Sequence, residues 1–288
     1  MMCEMHYAAA TSPPLRSSRE CSDWSLWVQT DGKTVAENEL RDAEREFEAR
    51  LEALDRDARQ CAVFAYTEFT VHHLAGGDFA VFDRLNLHAG FWNTILGALQ
   101  SSAFVALARI FEEDRSTHNA EQLLRFAEKM KGIFSRRALE ARKIRGGMSA
   151  EAAREYAADA FELRPGGLAK VGAEFRTRRK FFLDKVAPIR NQIFAHAGKI
   201  NKDERDALFT AVFLRPLEEL VIFTLRLHRS LFRLYHDGRE PLLEDAPSNI
   251  VDVIKHLPEK GTSTWEHLHA AKEAAAFFEW AKAAPLEE

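Results

Sequence analysis

The chain has 288 residues, 46% of them apolar, and a formal net charge of −4. This allows a full hydrophobic core in one large domain or two small ones, and the acidic balance argues against a general nucleic-acid binder. Its three cysteines, Cys3, Cys21 and Cys61, are too widely spaced for a disulfide framework or a zinc site, so we expect a reducing compartment.

The N-terminal part of the chain changes character near residue 34. Residues 1–33 mix Ser, Pro and isolated aromatics without periodicity, which predicts a loose arm. From about residue 35 to Gly76-Gly77, apolar residues recur at helical spacing and predict one long amphipathic helix. Its buried stripe is predicted to comprise Leu40, Phe47, Leu51, Leu54, Ala58, Cys61, Ala65 and Phe69.

The next predicted helix covers residues 86–112. Its aromatic pair Phe91-Trp92 is predicted to pack in the core, with a base-stacking platform as the alternative. Arg109 interrupts an apolar segment, and the simplest expectation is an ion pair with one of the three acidic residues that follow it. Those acids are Glu112, Glu113 and Asp114.

Two further helices are predicted at 119–144 and 149–162. Asn119 followed by Gln122 indicates a helix N-cap with its reciprocal partner. The basic residues from Arg136-Arg137 to Arg145 predict either an RNA-facing surface or a solvated helix face. Pro165-Gly166-Gly167 is the clearest internal break.

After that break, residues 168–197 predict one helix with two neighbouring apolar stripes. The first contains Phe175, Phe182, Val186, Ile189, Ile193 and His196, and the second contains Leu183, Ala187, Arg190, Phe194 and Ala197. Because Pro188 lies inside this helix, we expect a kink or restart at Ala187.

Each stripe carries one polar residue near the C-terminal end of the helix. An unpaired guanidinium at Arg190 would be costly in an apolar row, so it needs an ionic partner, a wet cleft or a bound anion. Gly198 predicts the end of the helix, which places His196 where the helix dipole favours its protonated form. An Arg for phosphate and a His for proton transfer suit acid/base chemistry on RNA. A structural ion pair and a satisfied core histidine are the alternative.

The region around this helix is basic although the whole chain is acidic. Residues 163–205 contain eleven Lys or Arg and four acids, a local charge of +7. This favours either a track for a phosphate backbone or a solvated helix face. The candidate RNA contacts here are Arg176, Arg178, Arg179, Lys180 and Lys199.

The remainder of the chain also predicts helices, at 203–236, 249–257 and 264–283. No strand pattern of convincing length is present, so the fold class is all-α, a helical bundle with N- and C-terminal extensions. The predicted organisation is an arm at 1–33, a bundle at 34–237 and an extension at 238–288. The pairs His72-His73 and His267/His269 lack companion ligands, so we expect no metal site. No apolar run approaches 18 residues and no signal core precedes the bundle, so we expect no membrane span and a cytoplasmic location.

The segment Ile-Arg-Asn-Gln-Ile-Phe-Ala-His-Ala at 189–197 resembles the signature of HEPN domains, in which an Arg and a His lie a few residues apart on one helix of an α-helical bundle. The closest resemblance is to the phage abortive-infection branch. A second block supports it, made of Phe91 to Ile95, Leu107 to Phe111 and Asn119 to Leu124. The resemblance covers about residues 60–235.

The resemblance implies metal-independent RNA cleavage, without a cofactor, at a composite site between two subunits of a homodimer. His196 would be the acid/base, Arg190 would hold the scissile phosphate and Asn191 would orient the Arg or a phosphate oxygen. Arg109 would lie near the cleft with Arg190. The implied role is a toxin or phage-defence ribonuclease.

One departure from the family concerns neutralisation. Some HEPN toxins carry a Tyr two residues after the motif His, which a partner nucleotidyltransferase modifies; here that residue is Gly198. The chain itself identifies no antitoxin or partner gene product. Two alternatives remain open: a HEPN-fold module that binds RNA or nucleotide without cleaving it, and a helical scaffold that recruits a protein through its long acidic helix.

Overall fold

A computed structural model of the chain describes residues 24–112, 119–189, 214–243 and 266–283. These ranges contain helices and no strand, which confirms the all-α prediction. The elements are α1 (Trp24–Gly77), α2 (Phe79–Leu87), α3 (Ala89–Phe111), α4 (Ala120–Lys129), a 3₁₀ turn (Lys131–Phe134), α5 (Arg136–Arg145), α6 (Ala150–Ala158), α7 (Ala169–Phe181), a π-helical turn (Phe182–Val186), α8 (Ala187–Ile189), α9 (Leu214–Asp237) and α10 (Glu266–Ala283).

The chain divides into two compact units, Met1–Asp42 and Ala43–Glu288. The described part of the first unit is helical, since α1 begins at Trp24. The sequence predicted that the helix starts at about residue 35, so the helix begins about eleven residues earlier than predicted; the loose arm at 1–33 stays a prediction. A helix that is already nucleated extends at little cost without an apolar stripe, which is why periodicity placed its start too late. The predicted domain boundaries at 33/34 and 237/238 stay predictions.

Within the second unit, α1 contacts α3, the 3₁₀ turn, α5 and α9. The predicted stripe from Phe47 to Phe69 is buried at every position. Phe47 contacts Phe134 of the 3₁₀ turn and Tyr235 of α9, with ring centroids 5.1 and 5.0 Å apart. The Cys61 thiol lies 3.6 Å from the Ala103 carbonyl of α3, which it donates to. The core is therefore built around one long helix.

The region between α1 and α3 contains a helix that periodicity did not predict. α1 ends at Gly77 as expected, and the Asp78 carboxylate then caps α2 by accepting from the Ala80 amide at 2.9 Å. α3 begins at Ala89, three residues later than predicted. An N-cap aspartate next to a doublet of glycines was the signal for α2, but two turns are too few to reveal a period.

The predicted helix at 119–144 is divided in the structure. Asn119 caps α4 as predicted, because its side-chain oxygen accepts from the Gln122 amide at 2.9 Å. The helix then stops at Lys129, and a 3₁₀ turn leads to α5. Ser135 caps α5 by accepting from the Ala138 amide at 3.2 Å. Gly132 and a second N-cap, at Ser135, therefore interrupt the single helix that apolar spacing alone had predicted.

The end of α9 depends on a glycine. Gly238 has a φ of 60°, the left-handed conformation that follows many helices. A Cβ added there would lie 2.5 Å from the Ala160 Cβ, and the Gly238 carbonyl accepts from the Phe161 amide at 2.7 Å. The helix end predicted at Asp237-Gly238 is confirmed, and it is pinned against the segment after α6.

Helix α3 divides into two unlike halves. It is long and apolar enough to cross a membrane by length and composition, with a mean hydropathy of 1.5 over 18 residues. The expectation that no apolar run approaches 18 residues is therefore wrong for α3, and no other helix in the described ranges meets that test. The second half of α3 is nevertheless buried among protein helices, from Ala103 to Phe111 apart from Val105 and Arg109. Burial of this kind is typical of a core helix.

Candidate functional site

The predicted catalytic segment begins at the end of a described range. Arg190, Asn191, His196 and Lys199 lie outside the described residues, which stop at Ile189 and resume at Leu214. The structure does describe the helix that leads into this segment, from α7 through the π-helical turn to α8. It also describes Arg109 and the basic residues at 176–180.

The leading helix is widened directly before the motif. Residues 182–186 form a π-helical turn, in which the Ala187 amide donates to the Phe182 carbonyl. The cause is Pro188, which has no amide hydrogen and whose ring would collide with the carbonyl four residues earlier in a regular α-helix. A restart of the α-helix at Ala187 is what the sequence predicted.

The π-helical turn also changes which residues face the core. Phe175, Phe182, Val186 and Ile189 are buried, which confirms the first predicted stripe as far as it is described. Leu183, predicted to lie in the second apolar stripe, is 41% exposed. An extra residue in one turn rotates its neighbours around the helix axis, so the prediction that Leu183 belongs to an apolar stripe facing the bundle is wrong.

Aromatic stacking fixes the leading helix against α3 and α9. Phe111, the last residue of α3, has its ring centroid 5.6 Å from Phe175 and 5.5 Å from Phe182. Phe223 of α9 completes the group at 6.3 Å from Phe111. Offset stacks of this kind add to the hydrophobic gain of burying the rings. The approach to Arg190 is therefore a rigid part of the bundle.

Arg179 locks the same helix by hydrogen bonds. Its Nε donates to the Phe111 carbonyl at 2.9 Å, and its guanidinium contacts the Glu121 carboxylate of α4 at 3.0 Å. The Phe111 carbonyl belongs to the last turn of α3, where carbonyls lack helical partners. With its side chain only 12% exposed, Arg179 joins α7, α3 and α4.

The other basic residues of α7 face solvent to different extents. Arg178 pairs with Glu174 at 2.8 Å and with Glu219 of α9 at 3.1 Å, and Lys180 pairs with Asp184 at 2.5 Å. Arg176 is exposed. Exposed pairs of this kind contribute roughly 0–1 kcal/mol each, so these side chains can exchange a carboxylate for a phosphate at small cost. Their role in RNA binding stays a prediction.

Arg109 has an ionic partner from another helix. Its guanidinium lies 3.3 Å from Asp57 Oδ1 of α1, and its side chain is 54% exposed whereas that of Asp57 is 10% exposed. The sequence had suggested partners among the acids that follow it. The observed pair joins residues 52 positions apart, which spacing along one helix does not predict. A role beside Arg190 stays a prediction.

The basic residues of α5 include an arginine that is almost entirely buried. Arg142 is 9% exposed and contacts Glu44 of α1 at 2.8 Å. It also donates to the carbonyls of Ile133 and Tyr235, at 2.6 and 2.7 Å. Arg145 pairs with the same Glu44. Both predictions for this cluster, an RNA-facing surface and a solvated face, are therefore wrong for Arg142.

The phenol of Tyr235 belongs to the same network. Its ring lies under the Arg142 guanidinium at 4.0 Å, and its hydroxyl donates to Glu48 at 2.8 Å. Burial raises the pKa of Tyr235 well above its ordinary value. It stays a protonated donor at all physiological pH values, which suits a structural tie between α9 and α1.

Three histidines near α1 are held neutral by burial. His228 Nδ1 lies 3.1 Å from Asp55, yet burial lowers its pKa more than the carboxylate raises it. Burial also lowers the pKa of His236. Burial, aided by the nearby Arg59, lowers the pKa of His267 to about 4. These imidazoles are uncharged structural groups at neutral pH.

The histidines of the described residues do not lie in clusters of metal-binding side chains. Within the described ranges, no group of three or more His, Cys, Asp or Glu side chains could hold a metal ion. Neither His267 nor the pair His72-His73 belongs to such a cluster.

The fold and the segment that follows α8 define a class. The second unit is a helical bundle, and one of its helices has a π-helical turn before Pro188 and is described as far as Ile189, directly before Arg190-Asn191 in the sequence. The chain belongs to the AbiU2 family of HEPN domains, an abortive-infection family whose model matches residues 44–254. This confirms the resemblance to the abortive-infection branch. No curated protein and no solved structure matches the chain.

Proposed function

We propose that the chain is a metal-independent endoribonuclease that acts in the cytoplasm in phage defence or as a toxin. The observation that carries the proposal is the segment Arg190-Asn191 to His196, inside the region that the AbiU2 family model matches. A cation and an imidazole a few residues apart on one helix supply the two functions that RNA cleavage needs without a metal.

The reaction is a transesterification followed by release of the cleaved strand. One imidazole removes the proton of the ribose 2′-hydroxyl, whose oxygen attacks the neighbouring phosphorus. The bond from phosphorus to the 5′ oxygen breaks, and a second imidazole gives that oxygen its proton. The products are a 2′,3′-cyclic phosphate and a 5′-hydroxyl. Arg190 offsets the charge that develops on the phosphate, and Asn191 orients Arg190 or a phosphate oxygen.

The site is composite and formed by a homodimer. A mechanism with one base and one acid requires two proton-transferring groups, and each chain offers a single histidine in the motif. Two copies related by a twofold axis supply two His196 and two Arg190 around one phosphate.

The rigid approach to the motif supports a catalytic role. Phosphoryl transfer depends on the placement of the phosphate, and an error of about 1 Å can reduce the rate roughly 100-fold. The stack around Phe111 and the hydrogen bonds of Arg179 hold α7 on both sides. Arg179 acts in this proposal as a positioning residue.

The RNA backbone approaches along the basic side of α7. Arg176 is exposed, and Arg178 and Lys180 carry only solvent-accessible partners that phosphates can replace. Arg109 and Lys199 are further candidate phosphate contacts in this proposal.

Cleavage of labelled single-stranded RNA and tRNA in EDTA tests the proposal. Wild type should cut, and Arg190→Ala and His196→Ala should not. Matched controls are Arg154→Ala and His72→Ala, both at exposed side chains, which should cut like wild type. Each variant is first shown to be folded and of unchanged oligomeric state. Equal cleavage by all five proteins indicates a contaminant or a different site.

A binding module without catalysis is the second candidate, and the local charge of +7 at 163–205 favours it. In that case RNA binding is salt-sensitive, no RNA in the panel is cut, and His196→Ala binds like wild type.

A further inference from the structure

The first half of α3 packs through Trp92 and Leu96 on a small core of the same chain, and its other side is an apolar surface that the described part of the chain leaves exposed. From Ala89 to Ala108 the helix has no charged residue, and only 39% of its most apolar window is buried. No residue from 89 to 102 is buried. Exposed apolar surface on this scale marks an interaction site.

One row of mainly apolar residues runs along this exposed side, with Ser102 half-buried. Phe91, Ile95, Ala98, Ser102 and Val105 follow each other at steps of four and three. Phe91 is 61% exposed, which shows that its predicted place in the core is wrong; Trp92 beside it packs instead with a small core around Val71, Val81 and Phe278.

A second row on the same side consists of small residues, namely Gly90, Thr94, Gly97 and Ser101. The hydroxyls of Thr94 and Ser101 donate to helix carbonyls four residues earlier, at 2.8 and 2.7 Å. They can therefore be buried without losing a hydrogen bond to water. These two rows together are called the α3 face.

Packing within the described part of one chain does not require a glycine at position 97. A Cβ added there would meet no heavy atom within 4 Å, and glycine in the middle of a helix weakens it relative to alanine. A glycine there leaves room for a second backbone to approach closely. It lies beside Ala98, at the middle of the α3 face.

Aromatic residues of α2 and α10 enlarge this surface. The Trp92 ring lies 6.1 Å from Phe277, which lies 5.9 Å from Trp280. The exposed fractions of Phe79, Phe82, Phe91, Phe277 and Trp280 add up to about three whole aromatic side chains, or roughly 450–750 Å². A stable interface buries about 800 Å² per partner, so these rings and the α3 face suffice for one.

The charge around the surface selects the kind of partner. There are five acidic and three basic residues in Asp78, α2 and α10 together, and residues 89–108 contain no charged side chain. The resulting charge of −2 does not attract RNA or an anionic lipid headgroup. The pattern of the α3 face is also self-complementary, because Phe91 and Val105 lie seven residues on either side of Ala98.

We propose that a second copy of this chain docks on the α3 face, with the two α3 helices antiparallel and in closest contact at Gly97 and Ala98. A twofold axis there places Phe91 of each copy against Val105 of the other. This interface would form the dimer of the proposed composite site. The role of this interface in catalysis rests on the proposed function, whereas its position on the chain is argued from the residues of α3.

Light scattering and sedimentation across the micromolar range test the interface on the full chain. Wild type should be a dimer, and Gly97→Leu, which fits an isolated chain, should raise the dimer dissociation constant roughly tenfold or more through overpacking. The matched control is Gly76→Leu, where an added Cβ also meets nothing within 4 Å; it should stay dimeric. A monomeric wild type overturns the proposal, and so does a Gly97→Leu dimer as tight as wild type.

Disulfide trapping does not depend on destabilising the dimer. With Cys3 and Cys21 replaced by Ser, Ala98→Cys should form a covalent dimer on oxidation, whereas Ala150→Cys, at an exposed residue of α6, should not. Equal trapping at both positions overturns the proposal. A wild-type monomer that binds phosphatidylcholine vesicles also overturns it, in favour of a lipid surface.

RNA cleavage by the same proteins separates the two proposals. If Gly97→Leu loses both the dimer and cleavage, both proposals are supported. If wild type dimerises through α3 but cuts no RNA, the interface stands and the ribonuclease fails. If Gly97→Leu is monomeric and still cuts RNA, the interface stands and the composite site fails.

Discussion

The ionisable residues around α1 and those on α7 have opposite environments. Around α1, Glu44 and Tyr235 are buried and Arg142 is 9% exposed; Arg142 donates to the Glu44 carboxylate and to the Tyr235 carbonyl. On α7, Arg176 and Lys180 face solvent. Charges that are paired inside the bundle hold helices together and are unavailable to a ligand, whereas exposed cations contribute little to stability and can bind phosphate. The sequence has arginines in both places, so residue type alone does not separate the two roles.

The largest effect should follow removal of the central carboxylate. Glu44→Ala leaves Arg142 buried without its ionic partner, and breaking a buried pair in this way costs about 3–5 kcal/mol. Urea denaturation followed by circular dichroism measures the loss. Glu140→Ala, which removes a looser pair with Arg154 at 3.6 Å, is the control and should change the free energy of unfolding by less than about 1 kcal/mol. Equal losses in both variants would contradict a structural role for the buried network.

The neutral histidines make the α1 side sensitive to acid. Because the folded-state pKa of His267 is about 4 and that of an unfolded histidine is about 6.5, the unfolded chain binds a proton first as the pH falls. The contribution of neutral His267 to the free energy of unfolding is complete above about pH 6.5. It is lost progressively as the pH falls towards 4, by roughly 2–4 kcal/mol in all. The lowered pKa values of His228 and His236 act in the same direction.

Urea unfolding at pH 7 and pH 5 tests this. His267→Phe should remain folded at pH 7 and show a smaller loss of stability on acidification than wild type. His72→Ala, at an exposed histidine, should retain the full wild-type loss. A wild-type stability that does not change between the two pH values would show that His267 titrates normally.

Arg179 lies between the two environments, since it is on α7 but is mostly buried. Arg179→Ala removes charge-assisted hydrogen bonds to the Phe111 carbonyl and Glu121, at a cost of about 1.5–3 kcal/mol. If Arg179 also positions the motif helix, Arg179→Ala should lower kcat on RNA at a temperature where the variant is fully folded. Arg125→Ala, which removes an exposed partner of the same Glu121, should change neither quantity measurably.

The sequence predicted what depends on neighbours along one helix. The stripe from Phe47 to Phe69, the Asn119 cap and the restart after Pro188 all follow from spacing within a few turns. It did not predict ties between distant positions, because Arg142 and Glu44 are 98 residues apart and local spacing carries no information on such pairs.

Other errors have local causes. Leu183 is exposed because a π-helical turn rotates it, and Phe91 is exposed because an apolar stripe has the same pattern whether its partner is in the chain or on another molecule. Arg190 and His196 were found through their spacing and family signature, and both lie outside the described residues.

Replacement of Arg176 should have the smallest effect on the free energy of unfolding and the clearest effect on the salt dependence of RNA binding. Because its side chain is exposed, Arg176→Ala should change the free energy of unfolding by no more than about 0.5 kcal/mol. If Arg176 contacts a phosphate, the dependence of log K on log salt for single-stranded RNA should become shallower by about 0.7. Arg215→Ala, at an exposed arginine of α9, is the control and should leave that slope unchanged. A slope that is the same for Arg176→Ala and wild type would show that Arg176 does not contact RNA. An equal change in slope for Arg176→Ala and Arg215→Ala would show that the chain attracts RNA through its general charge and not through a defined path on α7.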